Sequence, residues 1–155
     1  MTPAINVAKK YNIPHRIHEF VHDGTNEAYG IEAAEKMEVP AEQVFKTLVV
    51  VIDNKTLVVG VIPVTAMLSM KLIAKVAGGK KAAMADKLEV ERATGYVLGG
   101  VSPLGQKKRL KTIIDSSAKK HATLYISAGR RGLELELSPA DLSKVTRAVI
   151  ADICV

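Results

Sequence analysis

The segment from Gly99 to Arg109 combines residue types that suit the binding of a small polar or anionic group. It reads Gly-Gly-Val-Ser-Pro-Leu-Gly-Gln-Lys-Lys-Arg. Glycine lets backbone N–H groups approach a ligand closely, and proline fixes the chain after the serine. The spacing matches neither GxxxxGK[ST] nor GxGxxG. We therefore predict a binding loop that uses backbone groups, followed by a nucleic-acid contact at Lys107, Lys108 and Arg109.

Lys46 is the second candidate for chemistry. It shares the parity of Leu48, Val50 and Ile52 in an apolar run that resembles a buried strand. A charge on such a face must reach water or meet a partner. From the residues alone, two explanations remain open: a lysine at a strand end that keeps the sheet soluble, or a cation that meets an anionic ligand.

Residues that act as nucleophiles or metal ligands lack their usual context. Ser102 does not lie in a GxSxG turn and has no base beside it in sequence. Cys154 has no neighbouring histidine. No HExxH motif or Cys/His pair is present. We expect no protein nucleophile, no metal site and no cofactor.

Composition restricts the class of protein. The chain has 155 residues, 48% hydrophobic and 4% aromatic, which predicts one domain with an aliphatic core and argues against single-strand binding by base stacking. The longest apolar run, Leu48 to Ile52, is too short to cross a membrane. The N-terminal residues lack a signal-peptide pattern, and the single cysteine excludes an internal disulfide. We expect a cytoplasmic protein.

The net charge favours a polyanionic partner. The formal value is +6, and basic proteins bind nucleic acid by releasing counterions. Ordinary solubility explains the same charge, so the composition alone does not decide between the two.

Helical and strand patterns alternate along the chain. Caps and periodicity predict five helices: one after Thr2-Pro3, then Tyr29–Met37, Ala66–Ala77, Asp86 to Gly95, and one from Ser138-Pro139. Strands are predicted at His15–Val21, Val44–Ile52, Thr56–Val64, Lys81–Met84, Lys111–Asp115, Thr123–Ser127, Leu133–Leu137 and Ala148–Ile153. A loop is predicted at Asp23–Asn26. Hairpins mixed with short helices indicate an α+β fold with a mixed, largely antiparallel sheet.

Several of these segments together resemble the YbaK/EbsC family of aminoacyl-tRNA deacylases. The matching pieces are MTPAI at the start, EAAEKM at 32–37, FKTLVV at 45–50, KKAAMADK at 80–87, GYVLGGVSPLGQKKRLKTIID at 95–115 and RRGLELELSPADL at 130–142. They span almost the whole chain in order. The resemblance implies a single editing domain over residues 1–155, with a mixed, barrel-like β-sheet surrounded by helices.

The resemblance also implies an activity. A synthetase pocket cannot strongly reject a near-isostere of its amino acid, so a second site hydrolyses the error. Such a domain would remove cysteine from tRNA(Pro) and from tRNA(Cys), and the substrate's own thiol would attack the ester. The implied partners are the 3′ CCA end of mischarged tRNA and prolyl-tRNA synthetase, with no membrane and no DNA partner.

Site residues carry over by position. Lys46 matches the family's functional lysine. Gly99, Gly100, Val101, Ser102 and Pro103 would enclose the aminoacyl group, and their N–H groups would face the developing oxyanion. Phe20, Tyr29 and Thr47 are further candidates for the pocket wall. Relatives often carry Tyr where this chain has Phe20, so a hydroxyl is missing at that position.

Two alternatives remain open at this stage. A sister activity of the superfamily hydrolyses Ala-tRNA(Pro), which has no thiol. A module that binds tRNA or the synthetase without turnover would use the cations at 107–109 equally well.

Overall fold

The computed structural model describes residues 1–22 and 29–155, which form five α-helices and eight β-strands. The helices are α1 (Pro3–Lys10), α2 (Tyr29–Met37), α3 (Met70–Val76), α4 (Lys87–Thr94) and α5 (Pro139–Thr146). The strands are β1 (Arg16–Glu19), β2 (Phe45–Ile52), β3 (Thr56–Pro63), β4 (Ala82–Met84), β5 (Lys111–Asp115), β6 (Leu124–Arg130), β7 (Leu133–Leu137) and β8 (Val149–Ala151). The loop predicted at Asp23–Asn26 lies outside the described residues.

The strands form two sheets. One has the order β1-β7-β6 and is antiparallel throughout; the other has the order β4-β2-β3-β5-β8 and pairs β3 with β5 and β5 with β8 in parallel. A single parallel bridge between Val44 and Tyr125 connects them. The α+β class and the mixed, largely antiparallel pairing are confirmed. Among the described residues, however, no strand ladder closes the sheets into a barrel.

Local sequence signals determine most helix ends. The Thr2 hydroxyl accepts a hydrogen bond from the Ile5 N–H, and the Ser138 hydroxyl accepts one from Asp141, as expected for N-caps that precede proline. The predicted start of α3 at Ala66 is wrong. Ser69 caps that helix by accepting the Leu72 N–H, while Leu68 pairs with Cys154 in an isolated bridge.

Three strands differ from their predicted bounds by more than one residue at one end. Strand β1, predicted at His15–Val21, is limited to Arg16–Glu19. Strand β6 continues to Arg130, so the turn of the β6–β7 hairpin contains only Arg131 and Gly132. The last strand is limited to Val149–Ala151.

None of the helices formed by residues 1–22 and 29–155 is long and apolar enough to span a membrane.

Strand β2 is buried on both faces. Phe45 and Val49 belong to the largest hydrophobic cluster, whereas Val50 and Ile52 belong to a second cluster on the other side of the sheet. Successive side chains of a strand point to opposite faces, so a two-sided apolar strand must have packing on both sides. This arrangement fixes the position of Lys46 and Thr47 in the same strand.

Gly105 packs directly against the backbone of the first turn of α1. Its φ is +69°, and a Cβ at this position would lie 2.6 Å from the carbonyl carbon of Pro3 and 2.9 Å from the Ala4 nitrogen. Both neighbours are backbone atoms, which cannot move aside as a side chain can. Only glycine fits here.

We therefore expect Gly105→Ala to destabilise the protein more than Gly78→Ala. Gly78 also has a positive φ, of +83°, but has nothing within 4 Å of an added Cβ. Both variants incur the left-handed backbone cost of about 1–2 kcal/mol, and Gly105→Ala adds an overpacking cost of about 1–3 kcal/mol. Urea unfolding of the two variants measures the difference. Equal losses of stability would show that the contact with α1 relaxes freely.

Candidate active site

A cleft of about 480 Å³ lies beside the first half of β2. Strand β4 pairs only with Val50–Ile52 of β2. On that side, the first half of β2 has no strand ladder among the described residues. The cleft occupies this open edge, where Lys46 and Thr47 both line it.

Lys46 and Thr47 offer two different groups to a ligand. Lys46 is half-buried and forms no ion pair with any residue in 1–22 or 29–155. The Thr47 hydroxyl is buried and has no hydrogen-bond partner within the same residues. A buried polar atom without a partner costs stability, so each such group requires an explanation. A ligand in the cleft would supply both partners.

The opposite wall carries a hydrogen-bonded carboxyl and phenol. Ser127 of β6 and Glu134 of β7 are register partners, and both line the cleft. Tyr29, at the start of α2, donates its hydroxyl proton to Glu134 Oε2 over 3.1 Å and accepts the Gly132 N–H over 3.3 Å. The three-stranded sheet and α2 therefore meet at this polar pair.

Burial changes the protonation of this pair. It raises the pKa of Glu134 to about 8, although the hydrogen bond from Tyr29 acts in the opposite direction. Burial and the neighbouring Glu134 together raise the pKa of Tyr29. The Arg131 guanidinium carbon lies 4.9 Å from the centre of the Tyr29 ring. Glu134 is thus largely a neutral acid at neutral pH.

A second buried carboxylate holds α2 in place. Glu32 is 1% exposed, and its Oε1 lies 2.8 Å from His22 Nδ1. Its other oxygen lies 3.6 Å from the ammonium of Lys36, one turn along the helix. These contacts fix the first turn of α2 and with it the position of Tyr29.

The loop formed by residues 99–103, called the glycine loop below, packs on the turn between β6 and β7. A Cβ on Gly100 would lie 2.9 Å from the Arg130 Cα, so only glycine permits this approach. The Gly100 N–H bonds the Val97 carbonyl at 2.9 Å and is not available to a ligand. The N–H of Val101, a residue that lines the cleft, has no acceptor within the described residues.

The structure brings some of the predicted site residues together and separates others. Those that line the cleft are Tyr29, Lys46, Thr47, Gly99 and Val101. Those that do not are Phe20, Gly100, Ser102 and Pro103, together with Lys107, Lys108 and Arg109.

Each of the residues outside the cleft has a structural setting of its own. The Phe20 ring lies 6.5 Å from that of Tyr29. Ser102 is fully buried, and its hydroxyl accepts the Leu104 N–H. Pro103 lines a separate depression, described below together with Lys108 and Arg109.

No side chain of the cleft is set up as a nucleophile. The Ser127 hydroxyl accepts the Gly129 N–H at 3.1 Å and donates to no base within the described residues, because its register partner Glu134 is bonded to Tyr29 instead. Burial, together with the charge of Asp115, raises the pKa of the Cys154 thiol to about 12, so it is not a thiolate at neutral pH. The described residues also contain no cluster of His, Cys, Asp and Glu that could hold a metal ion.

Sequence reasoning missed Glu134, Ser127 and the rim residues Met84 and Leu98. Glu134 lies in Leu-Glu-Leu-Glu-Leu, an alternation that predicts solvent-facing carboxylates. Its 1% exposure contradicts that prediction. The signal that could have found it is the Arg-Arg-Gly turn just before it, because a turn next to a glycine loop places the following strand at the cleft.

Comparison with known families identifies the class of this protein. The sequence model of the family described as aminoacyl-tRNA editing domain matches residues 25–145. The chain belongs to that family, which confirms the resemblance seen in its motifs.

Individual relatives cover nearly the whole chain. EbsC of Enterococcus faecalis, a proposed Cys-tRNA(Pro)/Cys-tRNA(Cys) deacylase, is 33% identical over 98% of this chain and 92% of its own length. The crystal structure of the hypothetical protein APE2540 has a TM-score of 0.88 at 27% identity and covers 99% of both chains. A proposed trans-editing enzyme for prolyl-tRNA synthetase has a TM-score of 0.85 at 21% identity, over 100% of this chain and 99% of its own, which shows a common fold.

The raised pKa of Glu134 predicts a pH dependence of stability that Glu134→Gln removes. Its pKa is 4.5 in the ordinary state and about 8 when folded, so the folded state binds the extra proton between these values. The wild-type free energy of unfolding should therefore fall as pH rises through this window, by up to about 1.4 kcal/mol per pH unit. The difference between wild type and Glu134→Gln in urea unfolding isolates this contribution.

Glu136→Gln is the matched control. Glu136 is two residues along β7, and hydrogen bonds from Thr123 and His18 outweigh burial and lower its pKa. The stability that ionised Glu136 contributes is present at neutral pH and is lost as pH falls. The free energy of unfolding of this variant should therefore decline between about pH 5 and 8 as that of the wild type does. A Glu134→Gln protein whose stability declines as steeply as the wild type would contradict the buried neutral acid.

Proposed function

We propose that this protein is a trans-editing deacylase that removes cysteine from Cys-tRNA(Pro), with Cys-tRNA(Cys) as a second substrate. One observation carries the proposal: the cleft holds a cation, an unpartnered hydroxyl and a buried acid, but no activated nucleophile among the described residues. A volume of about 480 Å³ suits an aminoacyl group with its terminal nucleoside. The name of the relative EbsC supports the substrate class.

A substrate that carries its own nucleophile needs only to be positioned. The cysteine sulfur attacks its own ester carbonyl, so a sulfur–carbon bond forms and the ester carbon–oxygen bond breaks. The electron pair of that bond goes to the 3′ oxygen of the tRNA, which takes up the proton lost by the thiol. The resulting four-membered thiolactone is opened by water to free cysteine. Alignment of the reacting atoms is then the main contribution of the protein.

Three groups of the cleft suit this alignment. The Lys46 ammonium holds a phosphate at the 3′ end of the tRNA, and the Thr47 hydroxyl bonds the terminal ribose. The unpaired Val101 N–H faces the oxyanion that develops on the carbonyl. The Gly100 N–H already donates to the Val97 carbonyl. The proposed oxyanion contact is therefore limited to the Val101 N–H and does not involve the whole glycine loop.

Glu134 suits the amino group of the substrate. The α-amino group of a peptide has a pKa near 8, similar to that of the buried carboxyl. Transfer of the proton from Glu134 to the substrate amino group therefore costs little free energy. The resulting carboxylate of Glu134 then pairs with the ammonium of the substrate. Tyr29 orients the carboxyl through its hydrogen bond.

The cations at Lys107, Lys108 and Arg109 contact the phosphates of the tRNA. All three are exposed. A cleft of about 480 Å³ accommodates only the 3′ end, which has the same CCA sequence in all tRNAs. Prolyl-tRNA synthetase is therefore the proposed partner that delivers tRNA(Pro).

A panel of charged tRNAs tests the thiol. Cys-tRNA(Pro) should be deacylated, whereas Ala-tRNA(Pro) and Ser-tRNA(Pro) should remain close to their spontaneous rates, because neither can form the thiolactone. Release of each labelled amino acid is followed with and without the synthetase. Rapid release of alanine would exclude the thiol mechanism. Tight binding of tRNA with no release of any amino acid would instead identify a module without turnover.

Lys46→Ala tests the cation. We expect a loss of about 10²-fold or more in the deacylation rate, because a tRNA end that is no longer held by the ammonium misaligns the ester with the attacking thiol. Lys55→Ala is the control, because Lys55 is an exposed lysine in the turn after the same strand. Circular dichroism and urea unfolding establish that both variants fold. Wild-type deacylation by folded Lys46→Ala would remove the lysine from the mechanism.

A further inference from the structure

Two depressions outside the cleft adjoin each other and form one groove. The first, of about 200 Å³, lies between α1, the segment at 103–110 and the end of α5. The second, of about 280 Å³, lies between the end of α1 and α5. Tyr11, Arg109 and Val145 line both. We refer to the two depressions together as the basic groove.

The basic groove concentrates positive charge. Lys108, Arg109, Lys144 and Arg147 line it, against the single carboxylate of Asp141. The groove therefore has a formal charge of +3, half the +6 of the whole chain. None of these four cations forms an ion pair with another residue of 1–22 or 29–155. Their charge is available to an anionic partner.

The backbone around the basic groove is held by main-chain hydrogen bonds. The Lys107 and Lys108 N–H groups donate to the Thr94 and Ala93 carbonyls, at 3.0 and 2.9 Å, at the end of α4. On the other side, the Ala148 N–H bonds the Ser143 carbonyl at 3.0 Å. The cations therefore project from a fixed scaffold, which limits the entropy lost when they bind a ligand.

One short segment forms a wall of both the basic groove and the cleft. Val101 lines the cleft and Pro103 lines the groove. Their Cα atoms are two residues apart, so at most about 7 Å of chain separates them. The cleft and the basic groove therefore share this short segment as a common wall.

We propose that the basic groove binds the phosphate backbone of the acceptor end of tRNA, upstream of the terminal nucleotides. This inference rests on the proposed function, and it adds Lys144, Arg147 and the half-exposed ring of Tyr11 to the predicted contacts at 107–109. A protein partner fits less well, because protein interfaces depend on apolar anchors and Tyr11 is the only exposed large hydrophobic side chain in the described lining. Phosphates match unpaired cations directly.

The test is a pair of variants that remove equal charge. Lys144→Gln/Arg147→Gln changes the basic groove, while Lys71→Gln/Lys75→Gln changes two exposed lysines of α3. Binding of uncharged tRNA(Pro) is followed by fluorescence anisotropy between about 50 and 200 mM salt. The groove variant should bind about tenfold more weakly or worse, and the slope of log K against log salt should become shallower by about 1.4–1.8, as for two lost phosphate contacts. The α3 variant should keep the wild-type slope.

Each other outcome overturns the proposal. Equal effects of the two variants would show that only net charge matters. Unchanged tRNA binding by the groove variant, with loss of binding to the synthetase, would assign the surface to a protein. Urea unfolding checks both variants, and Lys144→Gln/Arg109→Gln replaces the groove variant if the change at Arg147 impairs folding.

Uncharged tRNA separates this inference from the proposed function. If tRNA binding depends on the basic groove but no amino acid is released by the wild type, the groove stands and the deacylase fails. If the wild type releases cysteine and the groove variant matches it in both binding and KM, the groove fails and the deacylase stands. With both correct, the groove variant raises KM for Cys-tRNA(Pro) by more than it lowers kcat.

Discussion

Strand β2 pairs with β3 along its whole length but with β4 only at Val50–Ile52. A strand buried on both faces normally has neighbours on both edges, because its backbone polar groups must be satisfied. Here the first half of β2 keeps an open edge, and the cleft lies along it. The three-stranded sheet, the glycine loop and α2 close the other sides. The cleft is therefore a consequence of unequal strand lengths, and its walls come from elements far apart in sequence.

The hydrogen-bonded pair of Glu134 and Tyr29, opposite β2, lowers the stability of the fold. Glu134 is almost fully buried and has Tyr29 as its hydrogen-bond donor, in a position where an apolar pair would pack without desolvation. The raised pKa of Glu134 expresses that cost, since the protein avoids a buried charge by keeping the proton. Groups held in this way are common in functional sites. The hydroxyl that Phe20 lacks is thus present in the same region on Tyr29, whose ring lies 6.5 Å from that of Phe20.

Local signals in the sequence predict much of this fold, because caps, turns and strand patterns act over a few residues. Thr2, Ser138 and Asp86 cap their helices as predicted. The start of α3 could not be predicted in this way, since Leu68 pairs with Cys154, 86 residues further along the chain. The burial of Glu134 could not be predicted for the same reason. Period-2 alternation separates the two faces of a strand but does not identify which face is covered by other elements. Lys46 and the glycine loop were found through motifs, and their meeting in one cleft depends on tertiary packing.

The open edge of β2 changes how a strand can read a ligand. A ligand that rests on the face of a sheet touches every second residue, because neighbours point away from it. Along the edge of β2, its first four residues, 45–48, all line the cleft. A bound molecule there meets side chains from both faces together with the main chain between them. A short continuous stretch of sequence therefore offers a ligand as many contacting residues as the face of a strand twice as long would.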